Sequence, residues 1–395
     1  MIFVYPIFKT VNVFDDNNHV VEYLVFNQDD MFFDAYTNFP YELLNASMVV
    51  IQNCKEVLHI ETELVNHMDS IIDADIVLYC ANSKLLSFDI TNAIPQRQLS
   101  HHVAKAKQIL LSLKSSYNEA YLGLYKMMMT VLLNYYYIEC NKVYVVTDNQ
   151  SGYLDTWFNM YNKTFRPTNR YGGVNFTALS KKDNTRNKIQ SRYGDEGLIL
   201  SMDFTAHNIY LIGGLLEYDF AGENPYTHLA KHYTGNLSYS DVKIKTFFNI
   251  FDTVDDNLVG VPFFDNLQNY IDNLHLEFQQ NGFIYTEKFK RKTNFFYTED
   301  EINNIPRHTL FNHYIQAYET EYNNIIIYKL LQRIANTDIK CMLYIYDELI
   351  FDIKKTDVPQ LLKVLSDIVD IPYKIKVGET YADMFNIDNF KTNKV

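Results

Sequence analysis

The chain has 395 residues and a mass of 46.5 kDa, long enough to bury a large hydrophobic core. Its 48 acidic residues outnumber the 35 basic ones and give a net charge of -13, which argues against a broad basic surface for nucleic acid but allows a local basic cleft. The four cysteines show no CxxC spacing, and neither a signal peptide nor an apolar run of membrane-spanning length is present. These features predict a reduced, cytoplasmic protein without structural zinc or disulfides.

The N-terminal region of the chain is predicted to be a small α/β region. Ile2–Phe14 and Val20–Phe26, which flank a polar turn, predict a β-hairpin. Two short apolar runs, Asp75–Cys80 and Leu85–Ile90, predict further strands.

The next region of the chain is predicted to be helical. His102–Leu113 has apolar residues at helical spacing, and Glu119–Tyr136 predicts a long, aromatic-rich helix.

Two stretches place carboxylates at the ends of apolar strands. Met342–Tyr346 is followed by Asp347 and Glu348 and then by Leu349–Phe351, which predicts a hairpin with acids at its tip. A second apolar strand ends at Asp203, which is equally suited to cap a helix. Side by side, the two strands would hold two divalent cations roughly 3.5–4 Å apart, as phosphoryl transfer requires. An acidic turn exposed to water is the alternative interpretation of the hairpin alone.

The most basic segment of the chain is Lys163–Tyr193. Its basic, aromatic and glycine residues together favour a nucleic-acid strand, through phosphate contacts and base stacking. A solvated basic loop is the alternative.

The stretch Ser238–Asp252 predicts a helix with Lys243, Phe247 and Phe251 on one face, at successive turns. A cation followed by flat aromatic rings fits a nucleoside triphosphate, and a plain amphipathic helix is the alternative. Helices are also predicted over 262–280, His308–Ile334 and Gln360–Val369.

The order and spacing of these motifs resemble the palm and fingers of family A DNA polymerases, the group of bacterial polymerase I and many phage replicases, over about residues 165–385. Asp203–Tyr210 resembles their D-Y-S-x-I-E-L-R, Ile345–Ile350 resembles V-H-D-E-L-V, and Val377–Ala382 resembles the terminal V-G-x-x-W-x-x-A. Other segments resemble T-G-R, N-L-Q-N-I, D-I-H-T-x-T-A, R-xxx-K-xxx-F-xxx-Y and N-xxx-Q: Thr168–Arg170, Asn175–Leu179, Asn224–Ala230, Tyr239–Phe251 and Asn312–Gln316.

The resemblance implies an α+β, right-hand polymerase fold with an antiparallel-sheet palm, helical fingers and thumb, and a small β-rich N-terminal region. Five regions are implied: a small α/β N-terminal region without a functional exonuclease (1–95), a thumb-like helical region (96–160), the first palm segment (161–234), trimmed fingers (235–305) and the second palm segment (306–395).

The resemblance also implies template-directed DNA synthesis by two-metal nucleotidyl transfer, with primer–template DNA and dNTPs as partners and two Mg²⁺ (or Mn²⁺) ions as cofactors. Asp203, Asp347 and the Phe204 carbonyl are the implied metal ligands. Lys243 would act on the phosphates, and Glu348 would orient the catalytic site. The implied nucleotide-binding residues are Phe247, Phe251, Asn208, Tyr226 and Tyr239; the implied DNA-binding residues are Arg170, Asn175, Asn312, Gln316 and Tyr346.

The sequence departs from the family pattern at several of these positions. Tyr239 stands in place of an arginine, Tyr226 and Tyr346 in place of histidines, and Asn208 in place of a glutamate. A degenerate polymerase fold kept as a non-catalytic DNA-binding or scaffold subunit is therefore the alternative, and an RNA polymerase of the single-subunit type is a third interpretation. His228 lies two residues from Tyr226 and is a candidate substitute for the family's histidine.

A proofreading exonuclease would need a D-x-E motif on its first strand, and the nearest match is Glu61-Thr62-Glu63. The sequence therefore predicts a polymerase without proofreading, in phage or mobile-element replication. A processivity factor or another replisome protein is a further candidate partner.

Overall fold

The computed structural model describes the chain except residues 11–12, 16, 28–31, 46–47, 82–98, 148–149, 170–173, 180–184, 294–298 and 388–395. The chain forms two compact units. The first comprises Met1–Lys142, Asp155–Phe158 and Asn169–Val174; the second comprises Val143–Leu154, Asn159–Thr168 and Asn175–Val395. The division into five regions made from the sequence stays a prediction.

The first unit contains a mixed sheet in which five described strands follow the order β3-β2-β1-β4-β5. The strands are β1 (Ile2–Phe8), β2 (Val20–Asn27), β3 (Phe33–Tyr36), β4 (Val49–Ile51) and β5 (Ile71–Asp73). β1 pairs antiparallel with β2 and parallel with β4. The predicted N-terminal hairpin is confirmed, although its first strand ends at Phe8, where the register shifts.

Helices pack against this sheet: α1 (Cys54–Leu58), α2 (Ala74–Cys80), α3 (Leu99–Ser116) and α4 (Leu122–Asn141). The two long helices were predicted, but the predicted strand at Asp75–Cys80 is wrong, because this segment is α2. The Asp73 carboxylate caps the helix by accepting from the Asp75 backbone N–H at 2.6 Å. The predicted strand at Leu85–Ile90 lies outside the described residues.

A buried ion cluster ties α1 to α4. The Lys55 ammonium pairs with the Glu139 carboxylate, and His59 Nε2 lies 2.8 Å from the second Glu139 oxygen. Burial alone would lower the pKa of His59, but hydrogen bonds with Cys140 and Glu139 raise it to about 9. Glu139 is fully buried, so the two cations supply the compensation that a buried carboxylate requires.

The second unit carries the remaining elements. In chain order these are β6 (Val143–Val146), β7 (Ser151–Leu154), β8 (Phe158–Asn159), β9 (Thr168–Asn169), β10 (Gly197–Phe204), α5 (His207–Leu215), α6 (Pro225–Ala230), α7 (Tyr239–Phe251), α8 (Pro262–Asn281), α9 (Glu299–Asn304), α10 (Arg307–Ile334), β11 (Lys340–Ile345), β12 (Glu348–Lys354), α11 (Val358–Ile368), β13 (Tyr373–Gly378) and β14 (Phe385–Asn386). The short β8 and β9 each have one residue in either unit.

An antiparallel sheet organises the second unit, with the order β11-β12-β10-β13-β14. β10 lies between β12 and β13, and its register places Leu198 opposite Ile353 and Asp203 opposite Glu348. Most residues of β10, β11 and β12 are buried, so these strands appear in the sequence as mainly apolar runs. The predicted α+β class and antiparallel sheet are confirmed.

Helices α5 to α8 and α10 share one apolar core, to which Ile209, Leu229, Ile250, Phe263 and Phe311 contribute fully or almost fully buried side chains. The helices predicted near 238–252, 262–280, 308–334 and 360–369 are confirmed as α7, α8, α10 and α11. Within the described residues, no helix is both long enough and apolar enough to cross a membrane.

Candidate active site

Asp203 and Asp347 meet at one edge of the antiparallel sheet. Asp203 is the penultimate residue of β10, and Asp347 lies in the turn between β11 and β12. The Phe204 backbone N–H donates to the Asp347 carbonyl oxygen at 3.1 Å, which ties the end of β10 to that turn. Burial raises the pKa of Asp347, the charge of Asp203 raises it further, and the Arg166 guanidinium opposes the rise. Two carboxylates therefore share one partly buried site.

Glu348 begins β12, directly beside this pair, and its carboxylate is held by two hydroxyl groups. The Ser201 hydroxyl donates to one of its oxygens, and the Tyr381 hydroxyl donates to the other at 3.3 Å. A carboxylate fixed in this way is suited to orient the site, the role that the sequence suggested.

Lys376 is a neighbour of the site that the sequence analysis missed. It lies opposite Ser201 in the pairing of β10 with β13, and its ammonium is 3.6 Å from Asp203 Oδ2. Lys374 and Lys376 alternate with the buried residues Ile375 and Val377 along β13. That alternation of charged and apolar residues was the available signal for a strand with one polar face.

The donor set fits Mg²⁺, which takes oxygen ligands from one or two carboxylates and completes its shell with water and substrate phosphates. Asp203 and Asp347 offer two carboxylates, and the Phe204 carbonyl belongs to the same strand end. In the described portion of the chain, no three His, Cys, Asp or Glu side chains converge on a metal-sized site.

The proposed nucleotide-binding residues of α7 come together with Tyr226 of α6. The Lys243 ammonium lies 5.9 Å from the centroid of the Tyr226 ring, and the Tyr239 ring lies 5.8 Å from it. Phe247 is 6.3 Å from Tyr226 and stacks on Phe251 at 5.7 Å. Lys243, Phe247 and Tyr239 of α7 therefore surround the Tyr226 ring, and their role in nucleotide binding stays a prediction.

Lys245, the second lysine of α7, is held by contacts within the protein. The Lys245 ammonium lies 3.2 Å from the Asp255 carboxylate and 5.4 Å from the Tyr233 ring centroid. Lys243 is exposed at the surface, and its role toward the phosphates stays a prediction.

Tyr226 itself is buried, with 3% of its surface exposed. Burial raises the pKa of its hydroxyl, and the charges of Tyr239 and Asp347 raise it further. The candidate substitute, His228, has protein partners on both ring nitrogens: the Tyr218 hydroxyl at 3.1 Å and a Glu223 oxygen at 3.2 Å. Those contacts are typical of a structural histidine.

Asn208 lies in the first turn of α5 and is half-buried. Its side-chain oxygen is buried and has no hydrogen-bond partner within the described residues. Buried amide oxygens without a hydrogen-bond partner are rare in folded proteins.

The proposed DNA-binding residues are spread over several elements. Arg170 lies outside the described residues. Asn175 is exposed, and its side-chain oxygen accepts from the Thr177 hydroxyl at 2.6 Å. On α10 the Gln316 amide donates to the Asn312 side-chain oxygen at 2.9 Å, so the two predicted amides form one unit. Tyr346 is 46% exposed in the turn beside Asp347.

Three arginines of the basic segment bind protein groups. Arg166 pairs with Glu319, Arg192 lies 2.7 Å from Asp352, and the Arg186 guanidinium lies 4.6 Å from the centroid of the Tyr381 ring. The sequence does not distinguish these three arginines, which bind protein groups, from the other basic residues of the same short segment.

Comparison with solved structures gives this architecture a known counterpart. The chain matches the POL domain of Pol1 from M. smegmatis, solved in complex with DNA primer-template and dNTP, with a TM-score of 0.72 and 10% sequence identity. The match covers 97% of this chain and 96% of that one. The chain has a DNA polymerase fold. No family model and no curated protein matches the chain in sequence.

Proposed function

We propose that this chain is a template-directed DNA polymerase of the family A type, which adds deoxynucleotides to a primer 3′ end. The observation that carries the proposal is that Asp203, near the end of β10, meets Asp347, in the turn that leads into the neighbouring antiparallel strand β12, within a polymerase fold. Burial, and then the charge of Asp203, raise the pKa of the half-buried Asp347 carboxyl, and groups perturbed in this way are typical of catalytic sites.

Each residue of the site has a distinct role in this proposal. Asp203, Asp347 and the Phe204 carbonyl would hold Mg²⁺, whose chemistry when bound is to activate the primer 3′ hydroxyl and to neutralise charge on the triphosphate. Lys243 binds the triphosphate, and Phe247 stacks near the incoming base. Glu348 keeps the edge of the sheet in its orientation through the hydroxyls that it accepts from.

A primer-extension assay with purified protein, Mg²⁺ and either dNTPs or rNTPs tests the proposal. We expect extension that follows the template and prefers dNTPs. Extension with rNTPs in strong preference would indicate the RNA polymerase type. Tight binding of primer–template without any extension in Mg²⁺ or Mn²⁺ would favour the non-catalytic DNA-binding subunit.

We also propose that the protein lacks proofreading and serves phage or mobile-element replication, with a processivity factor as a candidate partner. Strand β1 (Ile2–Phe8) has no acidic residue, and Glu61 accepts a hydrogen bond from the Tyr23 hydroxyl at 2.7 Å. A primer with a 3′ mismatch, incubated with protein and Mg²⁺ but without nucleotides, should therefore keep its length. Steady shortening that copurifies with the chain would contradict this prediction.

Asn208 should weaken the rejection of ribonucleotides. In the family that the chain resembles, this position carries a glutamate that crowds the ribose 2′ position, and Asn208 is one methylene shorter and uncharged. Restoring that contact in Asn208→Glu should improve discrimination between dATP and ATP by about 10–200-fold. Single-turnover rates opposite thymine, in both proteins, measure the effect. Equal discrimination would show that another side chain, such as Tyr210 or Phe251, closes the site to the 2′ hydroxyl.

A further inference from the structure

Helix α10 carries buried polar residues that lead to the turn between β11 and β12. Glu319 and Asn323 are four residues apart, so they lie on one face of the helix, and they are only 2% and 1% exposed. Burying a carboxylate and an amide is costly unless each has a specific partner. Both residues have partners in or beside the turn between β11 and β12.

Glu319 acts on the turn through Arg166. The Arg166 guanidinium pairs with the Glu319 carboxylate, and it also lies 5.3 Å from the centroid of the Tyr346 ring. At that distance the cation is attracted to the face of the ring. The ion pair therefore holds the guanidinium against the aromatic side chain that precedes Asp347.

Asn323 acts on the same turn directly. Its side-chain amide donates to the Tyr346 carbonyl oxygen and to the Tyr344 hydroxyl, each at 3.1 Å. Tyr346 has a φ of 57°, in the left-handed region that side chains other than glycine rarely adopt. A backbone in that conformation persists where its surroundings fix it, and here α10 supplies the hydrogen bond that does so.

Glu319 also reaches the other carboxylate strand. Its second oxygen lies 3.8 Å from His207 Nδ1, and the His207 ring stacks on Phe204 with 4.4 Å between centroids. Phe204 directly follows Asp203. The Glu319 carboxylate therefore lies between Arg166, which contacts the turn before Asp347, and His207, which stacks on the residue after Asp203.

We propose that Arg166, Glu319 and Asn323 are positioning residues that hold the Tyr346–Asp347 turn in register with Asp203 for nucleotidyl transfer. The inference rests on the proposed function. An ion pair between a buried glutamate and a partly buried arginine adds little net stability compared with apolar packing, so we attribute its place beside the turn to the geometry that it imposes. Catalysis is sensitive to such geometry, since a misplacement of about 1 Å can reduce a rate on the order of 10²-fold.

The same helix offers a matched control. Glu321 is fully buried, and it pairs with the buried Arg291, with 3.7 Å between Oε1 and Nε. Its other oxygen accepts from the backbone N–H groups of Lys288 and Phe289, so it supports the segment before α9. Glu319→Gln and Glu321→Gln therefore each weaken one ion pair made by a buried glutamate of α10, but only the first pair contacts the turn.

The experiment compares the maximal single-turnover extension rate, the dissociation constant for primer–template and the midpoint of thermal unfolding. We expect Glu319→Gln to lower the rate on the order of 10²-fold with little change in DNA affinity. Glu321→Gln should lower the midpoint of unfolding to a similar degree and keep a rate close to wild type. If Glu319→Gln does not fold, Arg166→Lys serves the same test, because it keeps the charge and loses the planar fork.

A double-mutant cycle separates positioning from general destabilisation. Arg166→Gln combined with Glu319→Gln should be no slower than either single variant, because both remove the same contact, whereas Arg166→Gln and Glu321→Gln should have independent effects. Equal rate losses for Glu319→Gln and Glu321→Gln in an active enzyme would overturn the positioning role alone. A wild-type chain that extends no primer would overturn the proposed function and the positioning role with it.

Discussion

Asp203→Asn and Asp347→Asn should each lower the rate of primer extension at least about 10³-fold, since a ligand to a catalytic metal supports several kcal/mol of transition-state stabilisation. The isosteric amide keeps the shape of the side chain and removes the charge. Single-turnover extension of a labelled primer measures the loss. Asp195→Asn, at an exposed acid just before β10, is the control and should extend normally.

Asp347→Asn should not lower the temperature of unfolding, although it lowers the rate of primer extension. The pKa of Asp347 is raised in the folded protein by burial and by Asp203. An acid whose folded pKa exceeds its unfolded pKa destabilises the folded protein at neutral pH, and this penalty disappears as the pH falls below the unfolded value. The variant should therefore unfold at the same temperature as wild type, or higher.

Near-normal extension by either aspartate variant would contradict the site assignment.

Lys243→Met should lower kcat/KM for dNTP addition by about 10²–10³-fold, the usual cost of removing one preorganised group that stabilises developing charge. Methionine is unbranched like lysine and only one atom shorter, so it keeps most of the side-chain packing and removes the charge. Steady-state extension over a range of dNTP concentrations gives the ratio.

Lys245→Met is the matched control for that measurement, since Lys245 is on the same helix and pairs with Asp255. It should affect stability slightly and leave kcat/KM near wild type. Equal losses in the two variants would show that α7 contributes general positive charge, and the specific role of Lys243 would then be wrong.

The carboxylate hairpin was predictable because its signals are local. Apolar runs on both sides of Asp347 and Glu348 define two short strands with a turn between them, and the structure has β11 and β12 there. The pairing of Asp203 with this turn depends on contacts more than 140 residues apart in the chain. Composition and periodicity alone do not encode that pairing, and the resemblance to a known palm supplied it.

The errors and omissions have physical causes. Residues 74–79 of α2 are all buried, so the run from Asp75 to Cys80 has no helical periodicity and resembles a buried strand in the sequence. Arg166 and Glu319 were missed as a pair because they are 153 residues apart and each is unremarkable alone. Lys376 was missed because its partner, Asp203, belongs to a neighbouring strand, and only the register brings the two charges together.

The most direct test of the central claim is single-nucleotide incorporation on four primer–templates that differ only in the first unpaired template base. With Mg²⁺ and one dNTP at a time, wild-type protein should add only the complementary nucleotide and release one pyrophosphate for each addition. The Asp203→Asn/Asp347→Asn double variant should bind the same DNA and add none. Incorporation that ignores the template base, or that persists in the double variant, would contradict the assignment of this chain as a polymerase that uses these two carboxylates.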